Sequence, residues 1–262
     1  MSIWIGCTGM PPEAAQIKKV GFDYLEVNIT ALVQAEEEEF SRWQRQLKAC
    51  GLPVRAGNCF LPGDWPLSRE GFDPQENRRY IEKAACRLHK LGAQIAVLGS
   101  GGARRLSQAY GIERGKRQFS LFFHMASAIM GEKGIRVVIE PLNRQETNFI
   151  HSIEEAMAVV RETEVPFGGV LCDYYHVGQE HQNPDLLLLA GEKLWHCHIA
   201  HPVTRMAPRE GDGGGYESFA AALRKNGYSG GVTFEGIMPE TEEEWKASCQ
   251  YLKTLFSQKE PL

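Results

Sequence analysis

Four side chains of the kinds that bind metal ions stand in the second half of the chain, each at the end of a short apolar run. They are Glu140, Asp173, His198 and Glu235. Three carboxylates and one imidazole form a hard, oxygen-rich donor set. This set suits Mn²⁺ or Mg²⁺, with Co²⁺ as a further candidate, better than a thiolate-rich zinc site. Without a cation, so many carboxylates in one cavity would repel each other and some would take up protons. The residue types therefore predict one divalent metal site.

The first of these residues indicates how the chain would position the set. Residues 136–139 read Arg-Val-Val-Ile, and Glu140 and Pro141 follow. A run of β-branched residues suits a parallel strand that is covered on both faces. Both α/β barrels and open sheets place their chemistry at the carboxyl ends of such strands. Alone, Glu140 would be read as a helix cap or a surface charge. Because three later predicted strands also end in ligand-type residues, the metal-site interpretation is favoured.

Short apolar runs alternate with amphipathic helical patterns along the whole chain. The predicted strands are residues 3–7, 24–28, 54–58, 95–98, 136–140, 169–173, 194–199 and 231–235. Predicted helices separate the strands, and several of them have the amphipathic period, for example residues 36–50, 74–91 and 112–130. A short helix is predicted at residues 184–190, and a helix at residues 239–256 closes the chain. This unbroken alternation predicts an α/β fold, a (β/α)8 TIM barrel that forms a single domain over residues 1–262. A doubly wound open sheet is the alternative, because periodicity alone cannot show closure.

Composition narrows the classes of protein to which the chain can belong. The net charge is −4 and there is no basic stripe, which disfavours a nucleic-acid surface. No apolar run approaches transmembrane length. The seven cysteines are odd in number and contain no C-x-x-C pair, a usage typical of a reducing compartment. The first residues lack the pattern of a signal peptide. We therefore expect a cytoplasmic protein without nucleic-acid or membrane partners.

Three further side chains could contact a substrate at the predicted metal site. His176 follows Asp173 by one helical turn and would reach a substrate oxygen. Glu146 lies in a loop that should overhang the site, and Arg205, in the loop after the seventh strand, could hold a hydroxyl or an anionic intermediate. His196 shares a strand face with the metal-binding histidine but lies one layer deeper. We predict that His196 is a hydrogen-bonded core residue rather than a ligand.

Two glycine-rich segments fit no nucleotide-binding motif. Residues 211–215 lack the strand-turn-helix context of a dinucleotide loop, and we interpret them as a mobile loop over the barrel mouth. Residues 99–102 follow a strand, but their spacing fits neither the Walker pattern nor G-x-G-x-x-G. Phosphate contact by this segment, with Arg104 and Arg105 behind it, is a minority interpretation.

The ordered set of motifs resembles a known superfamily over nearly the whole chain. The motifs are Glu140-Pro-Leu-Asn-Arg-Gln-Glu146, Asp173-x-x-His176, His196-Cys-His198, Arg205 and Phe234-Glu235. Together they resemble the xylose isomerase-like TIM-barrel sugar phosphate isomerase/epimerase superfamily. The resemblance is closest to its D-tagatose 3-epimerase and D-allulose (psicose) 3-epimerase branch.

This resemblance implies specific residue roles. One divalent cation would be bound by Glu140, Asp173, His198 and Glu235. In this branch the cation is commonly Mn²⁺, and Zn²⁺ is less favoured. Glu140 and Glu235 would also form the acid/base pair. The carbonyl end of the substrate would be held by Glu146, His176 and Arg205. Arg205, however, stands one residue further from the metal histidine than the resemblance leads us to expect for ketose 3-epimerases, which bears on the substrate's identity.

The implied activity is epimerisation of a ketose at C3, by two-glutamate proton transfer through a metal-bound enediolate. Related activities of the superfamily remain open, namely aldose–ketose or hydroxypyruvate isomerisation and an inosose- or dehydroshikimate-type dehydration at the same metal. A non-catalytic sugar-binding protein ranks low. An endonuclease also ranks low, because it would need a multi-zinc cluster and a basic groove. We expect a sugar or oxo-acid substrate and a homodimer or homotetramer.

Overall fold

Eight parallel strands form a closed barrel in the computed structural model, which describes residues 3–257. The strands are β1 (Trp4–Thr8), β2 (Tyr24–Asn28), β3 (Val54–Asn58), β4 (Ile95–Leu98), β5 (Arg136–Ile139), β6 (Gly168–Asp173), β7 (Leu194–Ile199) and β8 (Gly231–Phe234). Each strand pairs with its neighbour in sequence, and β1 also pairs in parallel with β8. The pairing of first and last strands excludes the open-sheet alternative. The chain has the predicted TIM-barrel fold.

Helices cover the outside of the barrel. They are α1 (Ala14–Val20), α2 (Ile29–Gln34), α3 (Glu37–Cys50), α4 (Pro74–Leu91), α5 (Ile112–Gly131), α6 (Ile153–Thr163), α7 (Tyr174–Gln179), α8 (Tyr216–Asn226) and α9 (Glu242–Ser257). Their ends follow local rules. The carboxylate of Asp73 caps α4 by accepting from the amide of Gln75, and Gly92 ends that helix with a φ of 85°. No helix in residues 3–257 has the length and apolar character needed to cross a membrane.

The predicted helices differ from the structure at four places. The six-residue helices α2 and α7 were not predicted, because a segment so short offers no amphipathic period to read. The last helix begins at Glu242 rather than at residue 239. The segment predicted as a helix at residues 184–190 is a 3-10 helix, Pro184–Lys193, which is interrupted at Gly191.

The interior of the barrel divides into an apolar half and a polar half. The apolar half, from β3 to β6, consists of Ala56, Ile95, Val97, Val138 and Leu171. The polar half, from β2, β7 and β8, consists of the buried side chains Tyr24, Glu26, His196, His198 and Thr233. Branched apolar side chains are the usual filling of such barrels. The polar half lies directly beneath the carboxyl ends of β7 and β8.

Candidate metal centre and active site

The four predicted metal ligands converge at the carboxyl-terminal mouth of the barrel. One donor atom from each of Glu140, Asp173, His198 and Glu235 lies within 4.8 Å of the others. Nδ1 of His198 is 3.0 Å from Oε1 of Glu140 and 3.4 Å from Oε2 of Glu235. His198 is fully buried, and the three carboxylates are largely so. Such an arrangement can bind one cation from several sides.

Local structure fixes two of these carboxylates. Gly99 follows β4, and a Cβ atom there would stand 2.2 Å from Oε2 of Glu140, so a larger residue would force this carboxylate to move. Asp173 ends β6 and caps α7, because its Oδ1 accepts a hydrogen bond of 2.9 Å from the amide of Tyr175. The second oxygen of Asp173 is thereby directed toward the mouth. The first glycine of the segment after β4 therefore makes room for a residue of the site.

Burial and neighbouring charges give the three carboxylates different pKa values. Burial and the nearby charge of Glu140 raise the pKa of Asp173 to about 8. Burial also raises the pKa of Glu140. For Glu235, burial acts in the same direction, but the charge and hydrogen bond of His198 and the charge of Arg205 outweigh it and hold the pKa at about 2. The site without a cation thus retains protons that a bound cation would displace.

The residues at this mouth fit a hard divalent cation. Oδ2 of Asp173 and Nε2 of His176 are buried without a hydrogen-bond partner among residues 3–257, and they lie 3.5 Å apart. An unpartnered buried carboxylate oxygen is costly. It would be satisfied by a cation that also contacts the neighbouring carboxylates and imidazole. Three oxygen donors and one nitrogen donor are the set expected for Mn²⁺, Mg²⁺ or Co²⁺.

Arg205 and Glu146 both reach this site. The guanidinium of Arg205 donates to Oε1 of Glu146 at 2.9 Å and to Oε2 of Glu235 at 3.2 Å, and it stacks 4.7 Å from the ring of Tyr175. The backbone of Arg205 has a φ of 57°, in the left-handed region. This turn directs the side chain back to the barrel mouth, although the residue stands further along the chain than the resemblance implies.

His176 also lies at the site, in a neutral form. Burial, assisted by the charge of Arg205, lowers its pKa to about 3. Nδ1 of His176 faces the backbone amide of Asn143 at 3.2 Å and the side-chain amide nitrogen of the same residue at 2.9 Å. Because Asn143 occupies Nδ1, the free Nε2 is the atom that faces the site. All seven sequence-predicted site residues are thus brought to one mouth.

Two residues that contact the candidate site were not identified from the sequence. Asn58, at the end of β3, donates from Nδ2 to Oε1 of Glu235 at 2.6 Å. Glu26, in β2, lies between His196 and His198 and contacts both. Asn58 could have been identified as a polar residue at the end of a predicted strand. Glu26 could have been identified as a carboxylate inside a strand that is otherwise largely apolar, because a buried carboxylate needs a polar partner. His196 is buried and hydrogen-bonded, as predicted.

The remaining candidate segments have structural contacts. The guanidinium of Arg104 is fully buried and donates to the carbonyl of Ile150 at 3.3 Å, while Arg105 donates to the carbonyl of Glu146 at 2.9 Å. Both arginines therefore hold the loop that follows β5. In residues 211–215, the carbonyls of Gly214 and Gly215 accept from the hydroxyl of Tyr174. These contacts attach that loop to α7 beside the mouth.

A cavity of about 300 Å³ lies at the opposite, amino-terminal mouth of the barrel. Its lining includes Trp4, Arg55, Arg136, Trp195 and, at its inner end, His196. None of the four metal-site residues lines it. The chemistry predicted from the sequence therefore belongs to the carboxyl-terminal mouth, where loops after parallel strands carry the active sites of such barrels.

The sequence pattern of the xylose isomerase-like TIM barrel family matches residues 14–255. The chain belongs to this family. Among curated proteins, it is 33% identical to an L-ribulose 3-epimerase from Methylomonas sp. (strain DH-1), over 91% of this chain and 83% of that protein. It is 25% identical to a 3-dehydro-D-guloside 4-epimerase from Escherichia coli (strain K12), over 91% of this chain and 92% of the relative. These family relatives are sugar epimerases, and this member is an enzyme of the isomerase class.

Solved structures support the fold. A D-psicose 3-epimerase crystallised in the presence of D-fructose superimposes with a TM-score of 0.83, at 17% identity, over 98% of this chain and all of that chain (100%). At this identity the likeness concerns the fold alone. The closed barrel is therefore a fold found in experimental structures.

Proposed function

We propose that this enzyme epimerises a ketose at C3 with the help of one divalent cation. The observation that carries the proposal is the arrangement of Glu140 and Glu235, whose carboxylates approach the same Nδ1 of His198 at 3.0 and 3.4 Å. Two carboxylates that flank one point can serve the two faces of a carbon atom between them. The relationship to an L-ribulose 3-epimerase supports this choice of carbon.

The cation would be held by Glu140, Asp173, His198 and Glu235. When bound, it would polarise the substrate carbonyl and make the hydrogen on the adjacent carbon more acidic. Glu235, whose carboxylate accepts hydrogen bonds from Asn58 and Arg205, can accept that proton. Glu140, on the other side of the same point, can return a proton to the opposite face. In the reverse reaction the two glutamates exchange these roles.

The carbonyl end of the substrate would be held by Glu146, His176 and Arg205. Arg205 already bridges Glu146 and Glu235, so a substrate oxygen that enters there would join an existing hydrogen-bond network. Nε2 of neutral His176 is buried and has no partner among the described residues, and it would bond a substrate hydroxyl or carbonyl. These contacts would orient the ketose so that C3 lies between the two glutamates.

The proposal can be tested by product analysis. The purified protein is incubated with Mn²⁺, and separately with a chelator, on a panel that includes L-ribulose, D-psicose, D-tagatose and D-fructose. We expect conversion of at least one ketose to its C3 epimer with Mn²⁺ and none with the chelator, measured by NMR. An aldose product would instead indicate an aldose–ketose isomerase. An unsaturated product that has lost water would indicate a dehydratase.

A second candidate is epimerisation at C4 of a 3-keto glycoside. It is favoured by the relative that carries this activity and aligns over 92% of its own length. The chemical requirement is the same, since the inverted carbon again adjoins a carbonyl. Including 3-dehydro-D-guloside in the panel separates the two candidates. Conversion of this glycoside together with failure on every ketose would overturn the C3 proposal.

A further inference from the structure

Glu26 is a carboxylate buried in the barrel interior below the candidate metal centre. It has no exposed surface, and both of its oxygens have histidine partners. Oε1 lies 2.9 Å from Nε2 of His198, and Oε2 lies 2.7 Å from Nε2 of His196. A single carboxylate from β2 thus connects two histidines of β7, which stand about 170 residues later in the chain.

The imidazole of His198 is divided between two sets of carboxylates. Its Nδ1 faces Glu140 and Glu235 at the metal centre, and its Nε2 faces Glu26 in the interior. A histidine can bind a cation through Nδ1 only when that nitrogen carries no proton, so the remaining proton must be on Nε2. A carboxylate that accepts from Nε2 favours this tautomer and fixes the plane of the ring.

Glu26 is itself held by a chain of buried polar groups. Nε2 of His196 also lies 3.1 Å from Oγ1 of Thr233, which is 2.8 Å from the hydroxyl of Tyr24. Two glycines leave space for the tyrosine. A Cβ at Gly6 would stand 2.2 Å from the tyrosine ring, and one at Gly231 would stand 2.4 Å from its hydroxyl. The polar half of the barrel interior is therefore packed around this chain, which ends at His198.

The distances between Glu26 and the two histidines are those of direct hydrogen bonds. Glu26 lies 2.7 and 2.9 Å from the two histidine nitrogens, within the normal range for a direct N–H···O bond. Each oxygen of Glu26 is therefore engaged by one imidazole.

We propose that Glu26 is a positioning residue for the metal centre. It holds His198 in the tautomer and orientation in which Nδ1 is available to the cation, and His196 holds Glu26 in place. The importance of Glu26 for catalysis rests on the proposed function. Its direct consequence, however, is for metal affinity, which can be measured without a substrate.

The test is Mn²⁺ binding by calorimetry to wild-type protein and to Glu26→Gln. Glutamine keeps the shape of glutamate but has one donating end, so it cannot accept from both histidines. We expect the Kd for Mn²⁺ to rise about 10- to 100-fold, a size typical when the partner of a metal-binding histidine is lost. At saturating Mn²⁺, the turnover of Glu26→Gln should lie closer to the wild-type value than its Mn²⁺ affinity does. An unchanged Kd in a folded variant would overturn the proposal.

Two further variants keep the test interpretable. Glu26→Asp retains the charge but draws the carboxylate back by one methylene, so it cannot reach both rings, and its Kd should be intermediate. Tyr24→Phe removes only the hydroxyl at the far end of the chain, which does not contact Glu26, and its Kd should stay within about threefold of wild type. If Glu26→Gln does not fold, these two variants decide. Equal affinities for Glu26→Asp and wild type would contradict the proposal.

A spectroscopic measurement separates positioning from general stabilisation. The nitrogen shifts of His198, recorded by NMR on Mg²⁺-loaded protein, report which nitrogen carries the proton. We expect a protonated Nε2 in wild type and a changed proton position in Glu26→Gln. Should wild type bind Mn²⁺ without epimerising any sugar, the proposed function fails while the affinity comparison still tests Glu26. Should wild type bind no divalent cation, both fail.

Discussion

Glu140 and Glu235 are both glutamates beside His198, yet their surroundings differ. Glu140 is buried next to Gly99 and has a raised pKa. Glu235 accepts hydrogen bonds from Asn58 and Arg205 and has a pKa of about 2. At the scale of the residue, the two carboxylates of the proposed proton-transfer pair therefore have different neighbours and different protonation in the metal-free chain. Asn58 contributes because its amide stabilises the ionised form of Glu235.

Replacing Asn58 by aspartate should disturb Glu235 through charge. In Asn58→Asp the donated hydrogen bond of 2.6 Å would become contact between two carboxylates, which raises the pKa of Glu235. We expect the acid limb of the kcat/KM pH profile to move upward by about one unit. Asn58→Ala, which removes the hydrogen bond without adding charge, should move it less. Superimposable acid limbs for wild type and Asn58→Asp would show that Glu235 is not the group that must be ionised.

The residues read correctly from the sequence were those that repeat a positional rule. Glu140, Asp173, His198 and Glu235 each end or follow a predicted strand, and parallel strands bring such ends together. Glu26 follows no such rule. Its two histidine partners lie in a strand about 170 residues away, and the local sequence of β2 does not predict them. Pairings of this kind require the closed barrel and cannot be read from spacing.

Loops of fixed conformation carry the remaining site residues. Arg205 lies in the connection after β7, where its left-handed backbone, with a φ of 57°, returns the side chain to the mouth. Its carbonyl accepts from the amide of Ile237 at 2.8 Å, which ties this loop to the segment after β8. This contact could not be predicted from the sequence, because it depends on how two loops from neighbouring strands approach each other.

Gly236→Ala should displace the loop that carries Arg205. A Cβ at Gly236 would stand 2.2 Å from the backbone carbonyl oxygen of Arg205, and backbone cannot move aside as a flexible side chain can. We expect KM for the sugar to rise about tenfold, and the free energy of unfolding to fall by about 1–3 kcal/mol. Mn²⁺ affinity should stay near the wild-type value.

A matched control for this change is Gly63→Ala. A Cβ at Gly63 would have no neighbour within 4 Å, so alanine should leave KM and stability nearly unchanged. If Gly236→Ala has the same KM as Gly63→Ala, then the position of Arg205 does not govern substrate binding. The comparison is made by steady-state kinetics together with thermal unfolding.

The whole barrel concentrates buried charge at one mouth, which links stability to a bound cation. With a folded-state pKa of about 8 against an ordinary value of 3.8, Asp173 holds a proton in the native chain that the unfolded chain has lost. This contribution to stability falls as pH rises toward and through 8. His198 acts in the same direction, because its folded-state pKa is raised by Glu26 and Glu235 despite burial.

Metal-free protein should therefore become less stable between pH 7 and pH 8.5. Below pH 7 the lowered pKa of His176 opposes this trend, since the native chain cannot take up the proton that the unfolded chain binds. We expect the Tm in chelator to fall by roughly 4 °C over the window. Saturating Mn²⁺ should raise the Tm and reduce this fall, because the cation replaces the protons. A metal-free Tm that rises with pH would contradict this account.

The most direct test of the central claim is positional deuterium uptake in D₂O at early conversion, on the ketose that the enzyme turns over. Two glutamates on opposite faces should give a product with deuterium at C3, while unreacted substrate carries none. Glu235→Gln should lose about 10³-fold in turnover, yet still bind Mn²⁺. A C3-epimerised product without deuterium, or a Glu235→Gln variant that keeps its activity, would contradict proton transfer between Glu140 and Glu235.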